Sequence, residues 1–309
     1  MTGAEPRLMH LVPNDWTEAK YILSQLPRYI FRGHAETNWE LTTSLERAAI
    51  RWNAYAHIED AEAAMLREFQ RRAHHYGVDL PEKNDLVEWL ALIQHYGGPT
   101  RLLDFTRSPY VAAFFAMENA DRDATVFAID TDALMTKARN TYTFNTSDFN
   151  TKMLAEANNV LQQRSRNTGL LWVEPDRLNQ RISVQQGTFL LPLDTARSFE
   201  DNMFEDFSVR SSMFSQMEPQ KLTSYTFLDR AILVKIVLSR NFHSQAMLDL
   251  ASMNVTSTSL FGGLEGFARS LPGILREDDA RFYHHMYVNQ IFRQQGSRGV
   301  GGRKEHRGD

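Results

Sequence analysis

The densest run of chemically capable residues is Gln94 to Ser108, QHYGGPTRLLDFTRS, which sets histidine, tyrosine, threonine, arginine and aspartate between two strongly apolar stretches. Burying such groups without partners costs about 1–3 kcal/mol each, so a fold keeps them together only where they satisfy one another or line a cavity. Arg32 is the second unusual position. It is a charge at the end of the apolar run Tyr29-Ile30-Phe31, and Gly33 follows directly, which lets a backbone or a ligand approach closely. A guanidinium in such a place can grip a phosphate through two parallel hydrogen bonds. Structural alternatives stand beside this reading: an Arg101–Asp104 network within the run, and an ion pair from Arg32 to Asp104 or Glu46 that holds a strand in place.

Other chemistries find little support. Cysteine is absent, which excludes disulfides, thiolate nucleophiles and thiolate metal sites and agrees with a reducing compartment, cytoplasm being the expected one. The adjacent pairs His74-His75 and His284-His285 diverge on a helix, and no His-Glu-x-x-His spacing occurs, so no metal is expected. The chain has no phosphate-binding GxxxxGK[ST] loop, GxGxxG fingerprint, nucleophile elbow or kinase signature, which disfavours phosphoryl transfer and serine hydrolysis.

Periodicity supplies the elements that must position these residues. Asp15 caps a helix carrying Trp16, Ala19, Ile22 and Leu26 and ended by Pro27, and Arg28 to His34 (RYIFRGH) reads as a strand. Ala63, Leu66, Phe69 and Ala73 recur at helical spacing over 59–75. Asn84 is placed to cap the next helix, whose apolar residues nearly surround its axis before Gly97-Gly98-Pro99. Ser108-Pro109 opens a fourth, all-apolar helix, YVAAFFAM. ATVFAI (124–129), RISVQQGTFLL (181–191) and AILVKIVL (231–238) read as core strands, and in the second of these only one of Gln185 and Gln186 can face inward.

The 309 residues are 42% hydrophobic and 23% charged, so the chain can bury a sizeable core. No internal repeat or linker interrupts residues 1–292, which favours one α+β domain over 1–293 followed by a disordered basic tail, 294–309. With 34 basic and 38 acidic residues the net charge is -4, which argues against nucleic acid as a partner, the tail, Arg101 and Arg107 being the only local candidates for it. No apolar stretch is long enough to span a membrane, and the first residues lack the pattern of a secretory signal.

YIFRGH at 29–34, Trp39, SLER at 44–47 and LALIQHYGGPTRLLDFTRSPYVAAFFA at 90–116 resemble the bacterial FRG domain family, and RISVQQGTF (181–189) and MNVTSTSLFGGLEG (253–266) resemble its later segments. Gly98 stands where the family usually has leucine, Phe105 where it has tryptophan, and Phe261-Gly262-Gly263 where it has Phe-Pro-Gly. More distantly, an arginine-bearing strand, a Thr/Ser-rich turn into an apolar helix and a later polar strand resemble ADP-ribosyltransferases of the arginine-serine-glutamate type. The FRG resemblance implies phage defence or a toxin system as the setting, while the more distant one implies a single α+β domain with a mixed sheet, split or continuous, flanked by helices, and NAD as substrate in a transferase or glycohydrolase. It casts Arg32 as the grip on pyrophosphate or ribose, Thr106 and Ser108 as the sugar-orienting hydroxyls, and His95 and Tyr96 as a wall around nicotinamide. Phe31, Gly33, Arg101 and Asp104 complete the binding group. Gln186 falls where those enzymes carry glutamate and cannot supply its charge, so a carboxylate from elsewhere, Glu265 or Asp104, is needed for turnover. Without one, the expected function is a non-catalytic sensor that binds a nucleotide and signals to a protein partner.

Overall fold

The computed structural model describes residues 7–164, 167–176, 180–207, 218 and 231–275. Aromatic and β-branched residues form strand β2 (Tyr29–His34) where the sequence predicts it, in the middle of one open seven-stranded sheet. Its other strands are β1 (Arg7–Leu11), β3 (Leu103–Thr106), β4 (Ala124–Asp130), β5 (Leu170–Val173), β6 (Gly187–Pro192) and β7 (Ala231–Leu238). The order is β1-β7-β4-β2-β3-β6-β5; β1 and β7 are parallel and every other neighbouring pair is antiparallel, so the sheet is mixed and unsplit. Strands β1, β3 and β5 were not foreseen, each being a run of four or five residues, too short to show a period.

The helices of the first unit are α1 (Trp16–Ser24), α2 (Ser44–Arg51), α3 (Ile58–Arg72), α4 (Leu86–His95), α5 (Pro109–Met117), α6 (Thr131–Thr141), α7 (Phe149–Gln163), α8 (Gln180–Val184) and α9 (Phe199–Phe207). Asp15 caps α1 as expected, accepting the Glu18 amide at 2.8 Å, and Ser108 caps α5, accepting the Val111 amide at 3.3 Å. The start of α4 departs from expectation. Asp85, not Asn84, holds the cap position, and the acceptor for the Val87 amide is Asn158 of α7 at 3.1 Å, a partner 71 residues away that no local pattern reveals.

The expected strand over 181–191 forms only in its second half. Residues 180–184 are α8, and the Arg181 and Ser183 carbonyls accept the amides of Gln185 and Gln186 to close a turn into β6. The cause lies in the neighbouring strand: β3 ends at Thr106, opposite Gly187, so the preceding residues have no ladder to join.

Alternate residues of β5 and β6 feed two core clusters. Leu171, Val173, Phe189 and Leu191 join α4 and α7, while Leu170 and Leu190 join β2, β3, β4 and α9. Helix α5 lies so close to β2 that a Cβ on Gly33 would stand 2.6 Å from the Ala116 amide nitrogen and closer still to the Ala112 carbonyl oxygen. The second compact unit runs from Ser244 onward; the helix His243–Ser252 (α10) starts at the junction, followed by α11 (Ser257–Phe261) and α12 (Gly263–Ser270). Within it a Cβ on Gly266 would meet the Ser257 and Thr258 carbonyls. Among the described residues no helix is long and apolar enough to cross a membrane. The boundary at 293 and the basic tail lie outside the described residues.

Candidate functional site

Three strands adjacent in the sheet, β2, β3 and β6, bring together residues that are far apart in sequence. Phe31 pairs with Thr106, and Thr106 with Gly187, so Arg32, Asp104 and the turn before Gly187 meet at one place. There they wall a cleft of about 340 Å³ with Gln94 and His95 of α4, Phe115 of α5, Arg181 of α8, Gln185 and the rings of Phe31, Phe105 and Phe189.

Arg32 is held in that wall by side-chain and backbone partners. Its side chain is 17% exposed. Its Nε donates to His34 Nε2 at 3.0 Å and its Nη1 to the Asp104 carbonyl at 2.7 Å, with the Asp104 carboxylate 3.6 Å away. Burial works against the Arg32 charge and the Arg47 guanidinium repels it, while Asp104 favours it; the sum lowers its pKa from the ordinary arginine value. Asp104 is itself 60% exposed and accepts from Gln94, whose amide oxygen in turn accepts from the Thr100 hydroxyl.

Several of the expected site residues occupy the cleft: Phe31, Arg32, Gly33, His95, Asp104 and Thr106 all line it. The Thr106 hydroxyl is already engaged, donating to the Gln185 carbonyl at 2.7 Å and accepting the Ser108 amide at 3.0 Å. Gly33 also serves the close approach of α5, since the space a Cβ would take there is filled by helix backbone. Of the glutamine pair, Gln185 lines the cleft, while Gln186 sits exposed at the left-handed turn with φ 50°.

Four further residues of the first unit, Ser108, Tyr96, Arg101 and Arg107, lie outside the cleft lining. Ser108 is the α5 cap. Tyr96 is 58% exposed, lies edge-on to His95 at 4.9 Å and borders a separate apolar groove with Met65, Phe69 and Pro99. Arg101 is buried against Glu62, its Nε 2.9 Å from each carboxylate oxygen, so the Arg101–Asp104 network does not form. Arg107, the other arginine considered for nucleic acid, pairs with Glu174 and lies over the Trp172 ring. Glu265 belongs to the second unit, where it pairs with Arg269 one helical turn on at 3.0 Å.

Sequence reasoning missed His34, Gln94 and Arg181 as neighbours of the site, and of the glutamine pair it assigned the role to Gln186 where Gln185 lines the cleft. His34 and Gln94 are themselves the last and first residues of quoted motifs, YIFRGH and QHYGGPTRLLDFTRS, so their position alone could have raised them. Arg181 lines the cleft from α8, where the sequence predicts a strand. Residues 27–125 match the family model of the FRG domain. The chain carries an FRG domain. No curated protein and no solved structure matches the chain. The FRG match spans β2, β3, α4 and α5, so most of the cleft wall lies inside it, whereas α8 and β6 supply the remaining wall from outside.

Proposed function

We propose that the cleft of this FRG domain binds the phosphate-bearing end of a nucleotide, with NAD as the substrate its groups suit. The observation that carries this is Arg32. Of the five N–H donors of a guanidinium, its bonds to His34 and Asp104 engage one on Nε and one on Nη1, and among the described residues Nη2 has no hydrogen-bond partner. The terminal fork therefore remains for two phosphate oxygens. Because burial already penalises the cation, an incoming anion gains more here than at an exposed arginine. At about 340 Å³ the cleft lies near the lower end of ligand sites, roughly 300–1,000 Å³, and encloses one nucleoside end rather than a whole dinucleotide.

Among the described residues, Asp104 is the carboxylate on the cleft wall. In NAD hydrolysis the bond between ribose C1′ and the nicotinamide nitrogen breaks, its electron pair leaving on nicotinamide. Water adds at C1′ and releases one proton. Positive charge gathers on the ribose in between, and Asp104 is the group able to stabilise it. A second reading, a non-catalytic sensor that passes its state to a protein partner, is favoured by the ties of Asp104 to Arg32 and Gln94, which already use its charge.

A thermal-shift series with NAD, paired with a nicotinamide-release assay, tests both. NAD should stabilise the wild-type chain and leave Arg32→Ala unmoved; equal stabilisation of both removes the site. Nicotinamide release lost in Asp104→Asn with binding kept supports turnover, and binding without release in the wild type supports the sensor. A toxin or defence role predicts that expression depletes cellular NAD in the wild type alone.

A further inference from the structure

We propose that His34 is a positioning residue that holds Arg32 from behind as a neutral acceptor and so presents the guanidinium fork to the ligand without cancelling its charge. This deepens the nucleotide reading and rests on it for the identity of the ligand. Arginine can only donate. With Arg32 Nε at 3.0 Å, His34 Nε2 must therefore carry a lone pair, because a proton there would set N–H against N–H. The imidazole proton then sits on Nδ1, 3.3 Å from the Trp39 carbonyl, which accepts it. Both ring nitrogens are engaged, and the tautomer is fixed from two sides.

The surroundings keep the ring neutral. His34 is 7% exposed and packs edge-on to Phe127 at 5.2 Å and Trp39 at 6.2 Å. The charges that act on it are all positive: Arg32, Arg47 and Lys235. Burial first, and these cations after it, push the imidazole down to about 3. A carboxylate in the same place would also bond Arg32 Nε, but it would neutralise the charge that an anionic ligand needs. A neutral imidazole orients the guanidinium without adding a second negative charge to that of Asp104, 3.6 Å away and mostly in solvent. His34 is absent from the cleft lining, which fits a group that acts through Arg32.

The test compares the full-length chain with His34→Phe, which keeps a ring but removes the acceptor, and His34→Gln, whose amide oxygen can reach the Nε2 position. Two readouts are taken, NAD affinity by titration and, on 15N-labelled protein without nucleotide, the Arg32 Nε–H exchange rate together with the imidazole 15N shifts. His34→Phe should weaken NAD binding about tenfold or more, as loss of a hydrogen bond to a charged group does, with His34→Gln within about threefold of wild type. Arg32 Nε–H should be protected in wild type and His34→Gln and exchange fast in His34→Phe, with wild-type His34 protonated at Nδ1 alone. Undiminished protection in a folded His34→Phe, or a proton on Nε2, overturns the proposal. If wild type shows the protection but NAD does not bind, Arg32 positioning stands and the nucleotide reading falls.

Discussion

Arg101–Glu62 and Arg32–Asp104 are both arginine–carboxylate pairs, and residues 101 and 104 are three apart in the chain, yet they are built differently. The first is sealed: its side chains are 8% and 6% exposed, and the carboxylate takes Arg101 Nε and Nη2 while Nη1 reaches the Pro192 carbonyl at 3.4 Å. The second is open, with the arginine pinned by an imidazole and a carbonyl, its carboxylate at 3.6 Å and mostly in solvent. A sealed pair with both groups satisfied has nothing left to offer a ligand and belongs to stability. An open pair with unspent donors is poorly matched internally and suited to an outside partner.

The largest effect should therefore come from the sealed pair. Glu62→Ala leaves Arg101 buried and unpaired, and chemical denaturation should show a loss of about 3–5 kcal/mol; a loss below about 1 kcal/mol would mean that water reaches the pair and that the contrast is false. Gly33→Ala comes next. The added methyl would push on α5 backbone at Ala112 and Ala116, which cannot retreat as a flexible side chain could, so about 1–3 kcal/mol or more should be lost. Its effect on the cleft, which Gly33 lines, should follow from that displacement, because the added methyl points at α5 backbone.

At the open pair the order reverses, with little stability at stake and much binding. Arg32→Ala should remove the roughly 2.7 kcal/mol of stabilisation that a ligand at a hundred times its dissociation constant confers, while Glu62→Gln, where folded, keeps it. His34 adds a pH test. Its value is lowered in the folded chain from 6.5 to about 3, so between these pH values the unfolded chain binds more protons and folding stability falls as pH falls. The His34→Gln variant lacks that term, so wild type should lose stability relative to it as pH drops from about 6.5 to about 3. A constant difference across that range would show that the imidazole is not held neutral.

The contrast also marks what the sequence discloses. Caps and strands with local signals were legible: Asp15, Ser108-Pro109 and β2, β4 and β7 all form close to where composition and period place them. Arg32 stood out because a charge at the end of an apolar run is anomalous wherever it lies, and Asp104 because it falls in the dense polar run; both line the cleft. The partner of Arg101 was not, since Glu62 is 39 residues away on an amphipathic helix among other charges. Nor was the turn at Gln186, because RISVQQ alternates like a strand and only the end of β3 forbids it from being one.

The smallest effect separates the two hydroxyls that the resemblance assigned together. Ser108 Oγ accepts the Val111 amide and stands outside the cleft, so Ser108→Ala should cost about 1 kcal/mol, as loss of a helix cap does, and leave NAD affinity unchanged. Thr106 lines the cleft but spends its proton on the Gln185 carbonyl, tying β3 to the turn that carries Gln185. Thr106→Val, close in shape, should weaken NAD binding by moving Gln185, whereas Thr106→Ser, which keeps the hydroxyl, should restore it. If Ser108→Ala lowers affinity while Thr106→Val does not, the sugar-orienting hydroxyl is at the helix cap, and the cleft as drawn around Arg32 is not where the ribose lies.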